Sequence, residues 1–298
     1  MLTLSSQFCT KLISSFKDLR TIYLLEEFCP GGTVLGMLQR QQGPPTLKPT
    51  CAGNVLGCVI LGLRCCHDHN ILVRALAPEN LFIDANGLIK LGVFEYSKRI
   101  MPGEFTMTVC GSQEFMPPEQ MYGHGQTLAS DFWSVGCLMY ELLTGVTPFS
   151  DPLGSILNVH GNILQGINDR ILSSISIDDN AGQLAKEVVE GLLQNNAEDR
   201  LGAKDFNDLQ QHLWFGRVNV DMNELESGRF SSGEPDWKPK INSTNAGKLY
   251  YVDGKPLRLE DVVMNGGGND KDTDAGRITL AEESADRNHN SNDWHWVF

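Results

Sequence analysis

The chain has 298 residues, enough for one large domain or two small ones. Its formal net charge of −13 argues against nucleic acid and anionic membrane surfaces as partners, because both need a basic footprint. Hydrophobic residues at 41% suit a globular core, and no unbroken apolar run reaches the roughly 20 residues of a membrane span.

The first residues, Met1 to Phe8, lack the basic start and apolar stretch of a signal peptide. All eight cysteines lie between Cys9 and Cys137, with no C-x-x-C pair. That distribution reads as reduced thiols, mostly in a core, and a cytoplasmic location is expected. Thr21 to Glu26 is a short aromatic and aliphatic strand, closed by the turn signal Pro30-Gly-Gly32. Leu56 to Asp68 is largely apolar all round, which predicts a helix buried in a core. Leu81 to Leu91 reads as two strands around an Ala-Asn-Gly turn. Ser130 to Leu143 predicts a second buried helix, with Ser130 and Asp131 as candidate N-caps. Leu184, Val188, Val189, Leu192 and Leu193 recur at helical spacing in a third, amphipathic helix. A few strands followed by a helix-rich body give an α+β class.

Composition changes near residue 240. Beyond it, Asn242-Ser-Thr-Asn-Ala-Gly247, Gly266-Gly-Gly268 and an Asp-rich run predict a mobile tail. Asn242-Ser-Thr fits a glycosylation sequon, but without a secretory signal it is read as chance. Asp270, Asp272, Asp274, Gly276, Ile278 and Glu282 resemble a calcium-binding loop with one residue too many, and a solvated acidic run is the default reading.

Val73-Arg-Ala-Leu-Ala-Pro-Glu-Asn80 resembles the catalytic loop of a serine/threonine protein kinase. Further motifs follow in family order. Thr108 to Glu119 is similar to an activation segment closed by its A-P-E motif. Ser130-Asp-Phe-Trp-Ser-Val-Gly136, Gly145-Val-Thr-Pro-Phe149 and Glu198-Asp-Arg-Leu-Gly202 resemble pieces of the large-lobe core. Pro235-Asp-Trp-Lys-Pro239 is similar to the start of an AGC tail, and Trp294 to Phe298 faintly resembles its aromatic end. The resemblance is to the cyclic-nucleotide-dependent branch of the AGC kinases, from about Cys9 to about Lys240.

That resemblance implies a protein-kinase-like fold: a mostly helical large lobe with a remnant of a β-rich small lobe. Residues 1–28 would be the small-lobe remnant and hinge, 29–215 the large lobe, and 216–298 the tail, largely flexible after about 240. With Met1 as the start, only two small-lobe strands are expected, leaving the Gly-rich loop, the strand lysine and its partner glutamate without counterparts. ATP and magnesium are the family's cofactors. Here the family's catalytic aspartate and lysine positions are Ala75 and Ala77, and its magnesium-binding aspartate is Val93. Glu95 replaces the glycine of that motif. Asn80 matches a magnesium ligand and is read as vestigial, since asparagine there can also bond the loop backbone. Glu27 and Cys29 fall at the hinge that faces adenine. Glu26 takes the gatekeeper place, and Thr33 replaces an acidic residue that contacts ribose and basic substrates. No metal site is therefore expected, and nucleotide binding is doubtful.

Arg74, Phe94, Glu119, Asp131 and Arg200 match positions that tie the activation segment to the helical core. The resemblance pairs Arg200 with Glu119. Thr108 matches the activation-loop phosphothreonine, with Arg74 placed to receive its charge. The leading expectation is a kinase-like protein without phosphotransfer that works by binding a protein, such as an active kinase or its substrates. An active atypical serine/threonine kinase and a truncated, non-functional fragment are the alternatives.

Overall fold

The computed structural model describes residues 4–17, 22–176, 180–233, 235–239, 250–252 and 255–257. Two units emerge, one made of the segment before Lys11 together with 29–239, the other of 11–28 and the described tail residues.

The smaller unit opens with an antiparallel hairpin, β1 (Leu12–Lys17) and β2 (Ile22–Glu26). Phe16 sits opposite Tyr23, and their rings stack 5.0 Å apart, the cross-strand aromatic pairing that stabilises such ribbons.

The larger unit begins with β3 (Gly32–Thr33), which runs directly into α1 (Val34–Gln39). Thr33 is the N-cap of α1, its hydroxyl accepting from the Gly36 N–H at 3.1 Å. The long helix α2 (Pro49–Asp68) starts about two turns earlier than its apolar run suggests, with Pro49 at a position where a missing N–H costs nothing. It is 20 residues long and apolar enough to cross a membrane by length and composition, longer than the sequence reading allowed. Most of it is buried inside this unit: Val55, Cys58, Val59 and Leu63 are wholly inaccessible.

After β4 (Ile71–Leu72) come β5 (Leu81–Ile83) and β6 (Ile89–Leu91), the expected pair around the Asn86-Gly87 turn. Asp84 shapes that turn, its Oδ1 accepting from the N–H groups of Asn86 and Leu88. β3 joins their sheet at β5, while β7 (Lys98–Arg99) pairs antiparallel with β4.

The helical body follows as α3 (Pro118–Tyr122), α4 (Ala129–Thr144), α5 (Ile156–Gln165), α6 (Asp169–Ser173), α7 (Asn180–Leu192), α8 (Phe206–Gln210), α9 (Leu213–Arg217) and α10 (Met222–Glu226). Helix α4 is the buried centre, with Trp133 stacked on Phe149 at 5.2 Å. Helix α7 packs on it through Val188, Val189 and Leu192. Ser130 and Asp131 do not cap α4. Its N-cap is Leu128, without a side-chain cap, and both residues sit inside the first turn, where other partners claim them. Residues 235–239 lie at the β5–β6 turn, where the Trp237 indole N–H donates to the Gly87 carbonyl at 2.9 Å.

In the tail, β8 (Tyr250–Val252) and β9 (Lys255–Leu257) pair antiparallel. The acidic run at 270–282, the sequon at 242–244 and the aromatic end at 294–298 lie outside the described residues. The whole is α+β, with helices filling the C-terminal part of the larger unit and small sheets before them.

Candidate functional site

Between β4 and β5 the chain makes a tight, heavily braced loop. Asp131 is its anchor. One carboxylate oxygen accepts from the Val73 N–H and the other from the Arg74 N–H, both at 2.9 Å. The first also contacts His67 Nε2 at 2.9 Å. Asp131 is 1% exposed, and these partners are what make a carboxylate tolerable there. The two backbone bonds help hold Arg74 at φ 65°, a left-handed conformation uncommon outside glycine.

Within the loop, Ala75 and Ala77 are buried methyl groups, 5% and 1% exposed. Asn80 braces them: its side-chain N–H donates to the Ala75 carbonyl at 3.0 Å, and its own carbonyl accepts from Gly92. The enclosed space against Ala75, Ala77, Gln120, Gln126 and Asp131 measures about 10 Å³. That is room for about one water molecule.

The segment after β6 holds Val93, Phe94 and Glu95, the residues matched above to the family's magnesium motif. Val93 lies at φ 54° and ψ 54°, an expensive place for a β-branched residue. Phe94 is buried and Glu95 exposed. The Tyr96 phenol is held above its ordinary pKa by a hydrogen bond to Glu95 and by that residue's charge. Magnesium takes hard oxygen ligands, usually one or two carboxylates completed by water and substrate phosphates. Val93 offers none, Asn80 offers one amide oxygen, and Glu95 is engaged with Tyr96. Among the described residues no three His, Cys, Asp or Glu side chains converge as a ligand set. The donors present do not fit the ion.

Glu27 and Cys29, the hinge residues, fall in different units. The Glu27 carboxylate accepts from the Lys11 N–H at 3.2 Å, while Cys29 is buried and its carbonyl accepts from Gly32. Glu26 ends β2, opposite Leu12. Thr33 is occupied as the α1 cap.

The activation-segment region is tied down at its far end. Arg200 reaches Glu119 with two hydrogen bonds, and Ser130 donates to the same carboxylate at 2.6 Å. At the near end Arg74 donates from Nε to the Tyr96 carbonyl, while its Nη1 is buried with no hydrogen bond among the described residues. Thr108 is exposed.

One group escaped the sequence reading. Glu141 lies on α4 between the buried residues Tyr140 and Leu142, and burial pushes its carboxyl up to about 7, helped by the charges of Glu79 and Glu114. Glu114 is itself held by the Thr147 hydroxyl at 2.6 Å. The signal available in sequence was a glutamate set in the apolar run from Val135 to Leu143.

Residues 1–215 match the family described as protein kinase domain. Human cGMP-dependent protein kinase 2 is 35% identical over 221 residues, covering 72% of this chain and 27% of that protein. Isozyme 1 of the Drosophila melanogaster cGMP-dependent protein kinase is 32% identical over 229 residues, 76% of this chain and 28% of that protein. Protein kinase 2 of Dictyostelium discoideum is 32% identical over 287 residues, 94% of this chain and 56% of that protein. The chain thus spans between about a quarter and about half the length of these relatives. With the braced loop, the Glu119–Arg200 clamp and this match over most of its length, the chain belongs to the protein kinase domain family and is related within it to the cGMP-dependent AGC kinases.

Proposed function

We propose that this chain is a catalytically silent member of its family that acts by binding another protein. The observation that carries the reading is Ala75, a buried methyl whose carbonyl is bound by Asn80 at the place where phosphoryl transfer needs a carboxylate facing the substrate hydroxyl. Ala77 removes the neighbouring cation, and Val93 removes the oxygen donor for magnesium. Each loss takes away a different part of transition-state stabilisation, so they compound. The loop itself remains well bonded through Asp131 and Asn80, which supports a fold kept for purposes other than phosphoryl transfer.

The partner we propose is an active kinase or one of its substrates, met through a basic segment. Glu79, Glu114 and Glu141 support that sign, since their mutual repulsion is relieved by a cation. Cytoplasmic action is supported by eight cysteines that form no disulfide, a state that a reducing compartment preserves.

The test is a thermal-shift titration of the purified chain with ATP, with and without magnesium, beside radiolabel transfer to basic peptides. The reading expects no magnesium-dependent stabilisation and no transfer above background. Transfer that tracks the protein and disappears in Asn80→Ala or Glu95→Ala would establish an active serine/threonine kinase using a displaced metal site instead.

A further inference from the structure

Three thiols meet where the first described segment crosses α2. Cys9 is 3% exposed, and its Sγ lies 4.0 Å from that of Cys66, which is fully buried. Cys9 Sγ also approaches the Gly62 carbonyl at 3.7 Å. Cys65, next in chain to Cys66, is half-buried, and its thiol acts on that of Cys9.

The backbone holds this meeting in place. Cys9 forms a parallel bridge with Leu91, with the Leu91 N–H donating to Phe8 and its carbonyl accepting from Thr10, at 2.8 and 2.7 Å. Gly62 is the point of closest approach, because a Cβ there would stand 2.7 Å from the Phe8 carbonyl. Only a glycine lets the segment lie so close to α2.

We infer that Cys9 and the Cys65–Cys66 pair form an oxidation-dependent cross-link that fastens the segment before Lys11 to α2. A disulfide needs its sulfurs about 2.0 Å apart, and the two already lie 4.0 Å from each other. Cys65 is the entry point, as the member of the three open to solvent. A peroxide transfers one oxygen to its sulfur, giving the sulfenic acid and one water. The Cys9 thiol then attacks that sulfur. An S–S bond forms, the S–O bond breaks, and the leaving hydroxide takes the Cys9 proton as a second water. Two thiols are oxidised by two electrons and one peroxide is reduced. Exchange with Cys66 afterwards moves the bond to the buried pair.

The resting thiols are slow to react. The hydrogen bond to Cys9, then burial, holds the Cys65 thiol well above its ordinary range. At Cys9 the Cys65 hydrogen bond acts the other way, but contact with Cys66 and burial outweigh it. Few thiolates exist at neutral pH, so the site responds to sustained oxidant and not to ordinary fluctuation.

Trypsin separates the participants cleanly. Cleavage after Lys11 and Arg64 leaves Cys9 in residues 1–11 and Cys65 with Cys66 in residues 65–74. The full chain is incubated for hours with excess hydrogen peroxide, alkylated, digested without reductant and mapped by mass. The expected product is 1–11 joined to 65–74 with two hydrogens lost, reversed by dithiothreitol, with an unfolding midpoint several degrees higher before reduction. Cys9→Ser abolishes both effects. Should that variant not fold, Cys65→Ser serves, with cross-linking slowed at least tenfold by loss of the entry thiol. Eight alkylated thiols after oxidation overturn the proposal. So does loss of two hydrogens within 65–74 alone, which marks a bond between the two neighbouring cysteines. A joined peptide with no rise in midpoint overturns the fastening role.

Discussion

Arg200 grips Glu119 with both arms of its guanidinium, Nη1 to Oε1 at 2.9 Å and Nη2 to Oε2 at 2.6 Å, while lying over the Trp133 ring. The residues are 2% and 8% exposed. Remaining donors on Arg200 go to the carbonyls of Gln194 and Ala129, and Ser130 supplies another bond to the carboxylate. The pair joins α3, the start of α4 and the end of α7 across 81 positions of chain. Desolvating two charges is costly, and a fully bonded geometry of this kind is what offsets it.

Removing one side leaves the other charge buried and alone. Arg200→Ala is therefore expected to cost about 3–5 kcal/mol, lowering the melting midpoint by about 6–20 °C for a domain of this size. Calorimetry on the wild type and the variant measures it. An unchanged midpoint would mean the pair contributes nothing to holding the helices together.

Glu141 gives stability a pH dependence of known sign. Its carboxyl is pushed from 4.5 up to about 7 by burial and by Glu79 and Glu114. Between those values the folded chain binds more protons than the unfolded one. Its contribution is thus lost as pH rises from about 4.5 to about 7, and the penalty is fully present above 7. The difference is worth at most about 3 kcal/mol. Glu141→Gln is expected to raise the midpoint by several degrees at pH 8 and to leave it little changed at pH 4. A gain of equal size at both pH values would assign the effect to packing and not to charge.

Much of this architecture was legible in the chain because hydrophobic period and turn chemistry are local. The β5–β6 hairpin follows from two apolar runs around Asn86-Gly87, and α7 from Val188, Val189 and Leu192 at helical spacing. What escaped was set by partners distant in sequence. Ser130 and Asp131 look like caps for α4, yet Asp131 is taken by Val73, Arg74 and His67, and Ser130 by Glu119. The meeting of Cys9 with Cys66 spans 57 positions and depends on the bridge to Leu91. The long start of α2 was hidden because its first turns, Pro49 to Asn54, mix small and polar residues and show no clear apolar run.

Helix glycines separate packing from propensity. On α4, a Cβ at Gly136 would stand 2.8 Å from Leu193 Cδ2 and 2.9 Å from Leu192 Cβ, the second too near the backbone to swing aside. Overpacking costs about 1–3 kcal/mol, against about 1 kcal/mol gained from better helix propensity. Gly136→Ala is expected to destabilise. Gly161 lies inside α5 with nothing within 4 Å of a built Cβ, so Gly161→Ala keeps the propensity gain and is expected to stabilise by up to about 1 kcal/mol. Urea denaturation of the two variants decides it: a stabilised Gly136→Ala would show that the α4–α7 contact is loose.

Asn80 separates a structural residue from a metal ligand. Its amide N–H donates to the Ala75 carbonyl across five positions, and its own carbonyl accepts from Gly92, so it closes the loop on both sides. Asn80→Ala deletes the first bond and leaves a partly buried carbonyl without that donor. A lost hydrogen bond of this kind costs about 0.5–1.5 kcal/mol, or about 1–6 °C in the midpoint. If the asparagine also held magnesium with ATP, the wild type would gain a metal-dependent midpoint shift that the variant lacks. The donor set argues otherwise, since Val93 brings no oxygen and Glu95 is turned to Tyr96. The expected result is a lower midpoint for Asn80→Ala with the same response to ATP and magnesium as the wild type. Asn80→Asp sharpens the comparison, because a carboxylate can still ligate the ion but has no N–H to give the Ala75 carbonyl. It is expected to melt like Asn80→Ala. Recovery of a magnesium-dependent shift in the aspartate variant alone would show that the site lacks only charge, and the silent reading of the loop would fail with it.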